Sequence, residues 1–230
     1  MTAIRCINVC KTYHQGRDEI KALDHVDLAI DEGAFVCVSA PSGGGKTTLL
    51  NAIGGLDMPD SGEVWIGDTR IDQLNKGELA ELRLRNIGFV FQAYNLIPVL
   101  TARENVEFVM EVRGVPSVER QKKSREILQE VGLEGLEERR PAEMSGGQQQ
   151  RVAVARAIVS DPSLVLADEP TANLDSKTSE GLMDLFAKLN KDHGTTFVIS
   201  THDRRVMAHA RRLVKMLDGC IVEDIRQKGT

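Results

Sequence analysis

Short apolar runs alternate with amphipathic segments along this chain, and the alternation predicts an α/β fold. Continuous apolar runs at 34–39 and 164–167 are typical of strands buried on both faces of a sheet. Further strands are predicted at 4–9, 26–30, 62–66, 87–91 and 196–199, and as a hairpin of 213–217 with 221–223. Helical apolar spacing occurs at 46–53, 102–112, 118–131, 148–159 and 179–189. Because strands alternate with helices, we expect a mostly parallel sheet.

The middle of the chain differs from its two ends because it is helical and rich in charge. We expect a helical lobe at 93–160, inserted between two parts of one core, 1–92 and 161–230. The first strands should form a small antiparallel β side sheet. The last residues, 226–230, are expected to be frayed. The prediction is thus a single domain over 1–230 with an inserted lobe.

Composition and charge exclude several classes of protein. Of 230 residues, 41% are hydrophobic and 27% are charged, which is ordinary for a soluble globular protein. The net charge of -5 provides no overall basic field, so no nucleic-acid partner is expected. The apolar runs are too short to span a bilayer, and the first residues lack the pattern of a secretory signal. If the protein serves transport, other chains must form the path.

The four cysteines are scattered, and none forms a C-x-x-C pair. They are Cys6, Cys10, Cys37 and Cys220. Metal sites and disulfide frameworks need clustered or regularly spaced cysteines. We therefore interpret them as small apolar residues in strands, with the reduced thiols of a cytoplasmic protein.

A glycine-rich loop between a predicted strand and a predicted helix indicates phosphate binding. Backbone N–H groups and the helix N-terminus converge there on an anion. Lys46 would contact the β- and γ-phosphates of a bound nucleotide, and the Thr47 hydroxyl suits Mg²⁺; kinases, GTPases, helicases and motors all share this chemistry. The candidate residues are Ala40, Pro41, Ser42, Gly43, Gly44, Gly45, Lys46, Thr47 and Thr48. Ala40 replaces the usual first glycine, which is tolerable if its φ is negative and strained otherwise.

Two carboxylates and a histidine follow the next predicted strands. Asp168 and Glu169 end the apolar run 164–167. Asp168 would hold Mg²⁺, and Glu169 would polarise the attacking water as general base. His202 follows the strand at 196–199, and parallel strands place their ends side by side. We therefore expect His202 near the γ-phosphate, although a lone histidine is more often a cap or a surface residue.

A second candidate anion site begins another predicted helix. Its residues are Ser145, Gly146, Gly147 and Gln148, after Met144. A serine and two glycines at a helix N-terminus can bind an anion, or can simply cap the helix. One bound nucleotide does not need two separated phosphate sites on one chain. The second site makes sense if it serves the ATP of a partner copy.

The run 144–148 matches the signature motif of the ATP-binding-cassette (ABC) ATPases. Together with the phosphate loop, it indicates a family that the sequence closely resembles over nearly its whole length. The resemblance implies a P-loop NTPase core of RecA-like type and a head-to-tail homodimer with two ATP in its seam. It also implies that Tyr13 stacks on adenine and that Gln92 senses Mg²⁺ and the γ-phosphate. In the same way Asp175 is the acid of the loop that crosses the seam, and His202 is the switch histidine. Met144 stands where leucine is commoner.

Shorter motifs resemble one branch of that family. Gly55-Leu56-Asp57, Asn95-Leu96 and Glu104-Asn105-Val106 together are similar to bacterial lipoprotein-release, macrolide-export and cell-division systems, although the last two also occur in amino-acid importers. The resemblance implies integral membrane permease subunits as partners and a peripheral location on the cytoplasmic face of the inner membrane. Tyr94, Leu96 and Pro98 would line the groove for the permease, or pack the lobe. A non-transport regulator or assembly ATPase would carry the same motifs and stays an alternative.

Overall fold

A computed structural model describes residues 1–16 and 18–227 of the chain. The strands of that part are β1 (Thr2–Gln15), β2 (Asp18–Asp31), β3 (Phe35–Ser39), β4 (Ser61–Ile66), β5 (Thr69–Arg70), β6 (Ile87–Val90), β7 (Leu164–Asp168), β8 (Thr196–Thr201), β9 (Arg212–Leu217) and β10 (Cys220–Arg226). The helices are α1 (Lys46–Ile53), α2 (Lys76–Asn86), α3 (Ala102–Val112), α4 (Ser117–Glu130), α5 (Gly146–Ile158), α6 (Ser176–His193) and α7 (Arg204–His209). A 3-10 turn covers Pro141–Glu143.

A six-stranded sheet of order β10-β9-β3-β8-β7-β6 forms the centre of the molecule. Neighbouring strands from β9 to β6 are parallel, and only β10 pairs antiparallel, with β9. β3, β7 and β8 are buried along most of their length because both faces of the sheet are covered. Asp218 and Gly219 both have positive φ, 47° and 79°, as the tight turn between β9 and β10 requires.

A four-stranded antiparallel sheet of order β2-β1-β4-β5 lies on one side of this centre. Its inward residues, among them Ile4, Val26 and Val64, pack in one core with Leu49 of α1 and Val198 of β8. The predicted side sheet is therefore present. α1 is held between the two sheets, which fixes the direction of its N-terminus.

The helices α3, α4 and α5 follow β6 and precede β7, and they pack on one another. Their buried residues, such as Val106, Leu128 and Val152, join a second core with Phe186 of α6 and Phe197 of β8. This core covers the other face of the central sheet. The segment predicted as an inserted lobe is thus helical, and its bounds at 93 and 160 remain a prediction.

The predicted α/β fold is confirmed, and the errors concern weakly patterned elements. α1 and α3 have the predicted ends. α2 was not predicted because only Leu79 of its residues is buried; its start is set by a capping box between Asn75 and Glu78. Residue 226 still belongs to β10, so it is not frayed, and 228–230 lie outside the described residues. No helix in the described ranges is long and apolar enough to cross a membrane.

Candidate active site

Three neighbouring strands carry the predicted catalytic residues to one edge of the central sheet. Ser39 of β3 is paired with Thr201 of β8, and Asp168 of β7 is paired with Ser200 of β8. All three strands are parallel, so their carboxyl ends meet there. The phosphate loop, Glu169 and His202 follow directly. This register is why residues far apart in sequence form one site.

The phosphate loop is shaped by close contacts that exclude larger residues. Gly45 has a φ of 96°, and a Cβ there would lie 2.4 Å from the Ala22 carbonyl oxygen. A Cβ on Gly44 would lie 2.8 Å from the Ala40 Cβ. Ala40 is not among the described non-glycine residues with positive φ. The alanine in the first motif position is therefore unstrained, as the sequence analysis required for a working loop.

Lys46 is folded back into the loop. Its Nζ donates hydrogen bonds to the carbonyl oxygens of Ala40 at 2.9 Å and Pro41 at 3.3 Å. It also lies 3.5 Å from Glu169 Oε1. The Lys46 side chain is only 8% exposed and that of Glu169 14%, so each charge offsets the other's cost of burial.

Glu169 is held in an unusual backbone conformation at the end of β7. Its φ is 46°, and its N–H donates to both the carbonyl and the hydroxyl oxygen of Ser200, each at 3.1 Å. His202 Nδ1 lies 2.9 Å from Glu169 Oε1. The strained backbone of Glu169 and the contacts of its carboxylate with His202 and Lys46 direct this carboxylate toward the phosphate loop. Strain of this kind is concentrated at functional sites.

Oxygen atoms cluster beside the loop. The Thr47 hydroxyl donates to Asp168 Oδ1 at 3.2 Å, and the Ser200 hydroxyl donates to the same oxygen. A hydroxyl and a carboxylate at this separation match adjacent ligands of an octahedral Mg²⁺, which lie about 3 Å apart for bonds of about 2.1 Å. The residues present therefore fit the ion. Ser200 was missed by the sequence analysis because its part depends on the pairing of β7 with β8.

The second predicted anion site begins α5. Ser145 is its N-cap: its Oγ accepts from the Gln148 N–H at 3.3 Å, and Gln148 Oε1 accepts from the Ser145 N–H at 2.9 Å. A Cβ on Gly146 would lie 2.8 Å from Tyr94 Oη, and one on Gly147 would lie 2.5 Å from Thr178 Cγ2. Both glycines are therefore also needed for packing within the chain.

This helix start opens onto a cavity of its own. The cavity is lined by Gly132, Leu133, Ser145, Gly147, Gln148, Arg151, Lys177, Thr178 and Gly181. None of these residues belongs to the phosphate loop or to the ends of β7 and β8. Within the described chain, the two anion sites thus have separate linings.

The residues placed by resemblance alone lie in three different environments. Gln92 follows β6 at the same sheet edge, and its carbonyl accepts from Asn173 Nδ2 at 3.0 Å. Asp175 caps α6, and hydrogen bonds from Thr178 hold the pKa of Asp175 below its ordinary value. Tyr13 lies in β1 of the side sheet, is 38% exposed and donates to Asp57 Oδ2 at 2.6 Å.

A groove of about 430 Å³ lies between α2 and β6 on one side and α3 and the end of α5 on the other. Its lining includes Leu84, Phe89, Phe91, Val109 and Arg156. Tyr94, Leu96 and Pro98, which were expected to line a groove for the permease, are absent from this lining, whereas their neighbour Asn95 is part of it. Tyr94 lies instead against Gly146, and Leu96 packs on the buried core.

The cysteines divide into two pairs, and all are free thiols. Cys6 and Cys37 are buried in strands, as predicted. Cys10 is partly exposed and lies with Asp24 and His25 in a group whose ligand-type atoms are within 4.8 Å of one another. His25 Nδ1 is 2.6 Å from Asn8 Oδ1, and the His25 N–H donates to Cys10 Sγ at 3.3 Å. These contacts tie β1 to β2 at two residues of positive φ, Asn8 and His25.

Comparison with known families shows which family of phosphate-binding proteins the chain belongs to. A family model described as ABC transporter matches residues 23–172. The chain belongs to the ABC transporter family. Its fold and its resemblance to this family, both predicted from sequence, are therefore confirmed.

Relatives of this ABC chain include whole proteins of the same length and parts of longer ones. The ABC transporter ATP-binding protein MJ0796 of Methanocaldococcus jannaschii is 46% identical over 230 residues, 98% of each chain. The macrolide export ATP-binding/permease protein MacB of Brucella melitensis is 42% identical over 225 residues, which are 98% of this chain and 35% of that protein.

Solved structures of MJ0796 have the same fold. A dimeric post-hydrolysis state of that cassette bound to ADP and Pi matches with a TM-score of 0.91 and 44% identity, covering 99% of this chain and 100% of the other. The ABC chain described here is therefore a nucleotide-binding, ATP-hydrolysing subunit of transporter type. The regulator or assembly ATPase considered as an alternative is not favoured.

Proposed function

We propose that two copies of this chain enclose two ATP molecules, each held by the phosphate loop of one copy and by Ser145, Gly146, Gly147 and Gln148 of the other. The separate linings of the two anion sites carry this proposal, because one chain alone leaves the second site without a phosphate. The dimeric MJ0796 structures support it. Asp175, at the start of α6, then lies in the loop that crosses the seam.

Within each pocket, the contacts support the proposed roles of Lys46, Thr47, Asp168, Glu169 and His202, and the family resemblance supports those of Gln92 and Tyr13. Lys46 exchanges its carbonyl and Glu169 partners for the β- and γ-phosphates. Thr47 and Asp168, with Gln92 at the same edge, would hold Mg²⁺, which neutralises phosphate charge when bound. Glu169 orients and deprotonates the attacking water, and His202 holds Glu169 and reaches toward the γ-phosphate. Tyr13 stacks on adenine.

The groove beside β6 is the proposed docking site of an integral membrane permease subunit. Burial lowers the pKa of Arg156 in this groove, and its Nη atoms donate to the carbonyls of Tyr94 and Asn95. No carboxylate pairs with Arg156 in the described chain. A permease segment with apolar side chains and one acid fits this lining. The protein would then sit peripherally on the cytoplasmic face of the membrane.

The transported class is proposed from the relatives. The macrolide export proteins MacB of Brucella melitensis and Paracoccus denitrificans are 42% and 44% identical to this chain. We propose that the complex of this chain with its permease uses ATP for export or for extraction of lipoproteins and lipids. Purification of the chain with its membrane partner, followed by stimulation of ATPase activity by candidate cargo, tests this class.

Substitution Glu169→Gln tests the composite pocket. The amide keeps the shape of the side chain but removes the base, so ATP should bind without being hydrolysed and the closed dimer should accumulate. Size-exclusion chromatography with ATP and Mg²⁺ should show a dimer, and ATPase activity should fall by about 10²-fold or more.

Two controls sharpen this test. The double variant Glu169→Gln with Ser145→Arg should remain monomeric with ATP, because the second anion site is blocked while the phosphate loop is intact. A Glu169→Gln chain that binds ATP and stays monomeric would contradict the dimeric pocket.

A further inference from the structure

Tyr13 contacts two residues, Asp57 and Lys11, that lie outside the nucleotide motifs of the chain. We propose that Asp57 and Lys11 are positioning residues that clamp Tyr13 and set the affinity for the adenine base. The inference rests on the proposed stacking of adenine on Tyr13. It adds a specificity role for Asp57, the last residue of the Gly55-Leu56-Asp57 motif.

The clamp begins with the tyrosine hydroxyl. Tyr13 Oη donates to Asp57 Oδ2 at 2.6 Å, so the far end of the ring is tied to the loop that follows α1. An exposed aromatic on a strand can otherwise populate several rotamers of χ1. The hydrogen bond removes most of that freedom before a base arrives, and preorganised groups bind with less loss of entropy.

Lys11 contacts both Asp57 and the Tyr13 ring. Its Nζ lies 2.9 Å from Asp57 Oδ1, donates to the Met58 carbonyl at 2.7 Å and lies 3.5 Å from Asp60 Oδ1. The same Nζ is 5.5 Å from the centroid of the Tyr13 ring. The cation therefore occupies one face of the ring. Tyr13 as a whole is 38% exposed, and a stacking base would use the face of its ring opposite Lys11.

The electrostatics agree with a clamp. Burial acts to raise the pKa of Asp57, but hydrogen bonds from Tyr13 and Lys11 outweigh it and hold the pKa of this carboxyl below its ordinary value. Burial and the same hydrogen bond raise the pKa of Tyr13. Tyr13 thus remains a donor and Asp57 an acceptor at neutral pH.

The clamp also ties the adenine side of the site to the helix that holds the phosphates. The N–H groups of Leu56 and Asp57 donate to the Asn51 carbonyl in the last turn of α1. Gly55, with a φ of 62°, makes the turn that allows this. Lys46 and Thr47 stand at the other end of α1. One helix of eight residues therefore positions both ends of the nucleotide site.

A double-mutant cycle tests the clamp. The variants are Asp57→Ala, Tyr13→Phe and the two combined, with Kd measured calorimetrically for ATP and for inorganic tripolyphosphate. Each single variant should weaken ATP binding by about two- to tenfold, the range for losing one hydrogen bond. The double variant should be no weaker than the weaker single one. Tripolyphosphate affinity should stay unchanged, because the substitutions remove only the contact between the Tyr13 and Asp57 side chains and keep the backbone hydrogen bonds that tie this loop to α1.

Asp72→Ala is the matched control. Asp72 is also an ion-paired aspartate of depressed pKa, held by Arg70 on the side sheet, and its loss should leave ATP affinity unchanged. Thermal melts confirm that each variant is folded. A loss of affinity for ATP and tripolyphosphate alike in Asp57→Ala would overturn the clamp, since it would show general damage to the loop.

The variant Tyr13→Ala distinguishes failure of the clamp from failure of the proposed adenine stacking. If Tyr13→Ala binds ATP as well as the unchanged chain, adenine stacking on Tyr13 is wrong and the clamp falls with it. If Tyr13→Ala weakens ATP binding while Asp57→Ala and Tyr13→Phe do not, stacking stands and the clamp alone is wrong.

Discussion

At the scale of single residues, one carboxylate oxygen has two nitrogen neighbours. Oε1 of Glu169 lies 3.5 Å from Lys46 Nζ and 2.9 Å from His202 Nδ1. In the proposed pocket, Glu169 therefore replaces part of the negative charge that Lys46 would meet on a phosphate. Binding of ATP would then free Glu169 from Lys46 and leave its contact with His202, which would orient it toward water.

Position 40 and position 44 of the phosphate loop constrain each other. Alanine at 40 places its Cβ where a side chain on Gly44 would lie, 2.8 Å away. Gly44 has no positive φ, so its need to be glycine arises from this contact and from the Pro41 carbonyl oxygen at 3.1 Å.

Substitution Gly44→Ala should therefore weaken ATP binding, because overpacking of about 1–3 kcal/mol would distort the loop. Isothermal calorimetry should show about tenfold weaker binding or worse. Adding Ala40→Gly should restore part of the loss. Gly67→Ala is the control: it has a φ of 55° with no atom within 4 Å and should leave ATP affinity unchanged. Unaltered binding by Gly44→Ala would refute the steric argument.

The candidate site was largely predictable because most of its residues are adjacent in sequence. The phosphate loop, Asp168 with Glu169, and Ser145 with its glycines each form one contiguous motif. Ser200 and Asp57 were not recognised as part of the site, since their contacts depend on strand register and on the path of a loop. No local pattern marks either residue as a partner of Glu169 or of Tyr13.

At the scale of elements, buried strands protect two of the four thiols. Burial raises the pKa of Cys6, in β1, to about 12 and that of Cys37, in β3, to about 12. Cys10 and Cys220 are partly exposed.

Iodoacetamide near neutral or mildly basic pH should accordingly modify Cys10 and Cys220 in the folded protein and spare Cys6 and Cys37, because only thiolates react. Mass spectrometry of digests gives the pattern, and all four should react after unfolding in guanidinium. The variant with Cys10→Ser and Cys220→Ser should be inert when folded. Rapid native labelling of Cys37 would show that β3 is less buried than described.

Element prediction succeeded where burial is strong and failed where it is weak. α1 and α3 place several residues in a core, and their apolar spacing set their ends correctly. β1 and β2 are each 14 residues long, more than the alternation at 4–9 and 26–30 indicates. Their ladder contains register shifts, and Asn8 and His25 have positive φ, so the alternation is broken inside the strands.

At the scale of the whole molecule, arginine–carboxylate pairs join separate parts of the chain. Arg212 of β9 binds Asp224 of β10 through Nε at 2.8 Å and Nη2 at 2.6 Å, and its Nη1 donates to the Ala29 carbonyl of β2. Arg103 of α3 binds Glu138 in the same two-pronged way. These contacts link the two sheets and hold α3 to the segment before the 3-10 turn.

The protein should lose stability in acid through these pairs. Hydrogen bonds from Arg212 and Arg103 hold the pKa of Asp224 and of Glu138 below their ordinary values of 3.8 and 4.5. A carboxyl whose pKa is depressed by folding stabilises the fold above its unfolded pKa and loses that contribution as pH falls through the folded one. Urea midpoints should therefore drop progressively below about pH 4.5.

Asp224→Asn should lower the urea midpoint at neutral pH and make the acid-induced drop smaller, since one of the titrating groups is gone. Asp192→Asn serves as the control, because Asp192 is an exposed aspartate in the last turn of α6. A variant whose acid-induced drop equals that of the unchanged chain would show that Asp224 does not contribute.

Tyr94 and Asn95 both have positive φ, 59° and 51°, and Arg156 holds their carbonyls from α5. Asn95 faces the groove, while the Tyr94 hydroxyl stands against Gly146 at the start of the same helix. Pressure on this dipeptide from a bound protein would therefore reach the first turn of α5 through a single side chain. In the proposed dimer, Tyr94 would then couple movement of a membrane partner to the helix start that binds the nucleotide of the other copy.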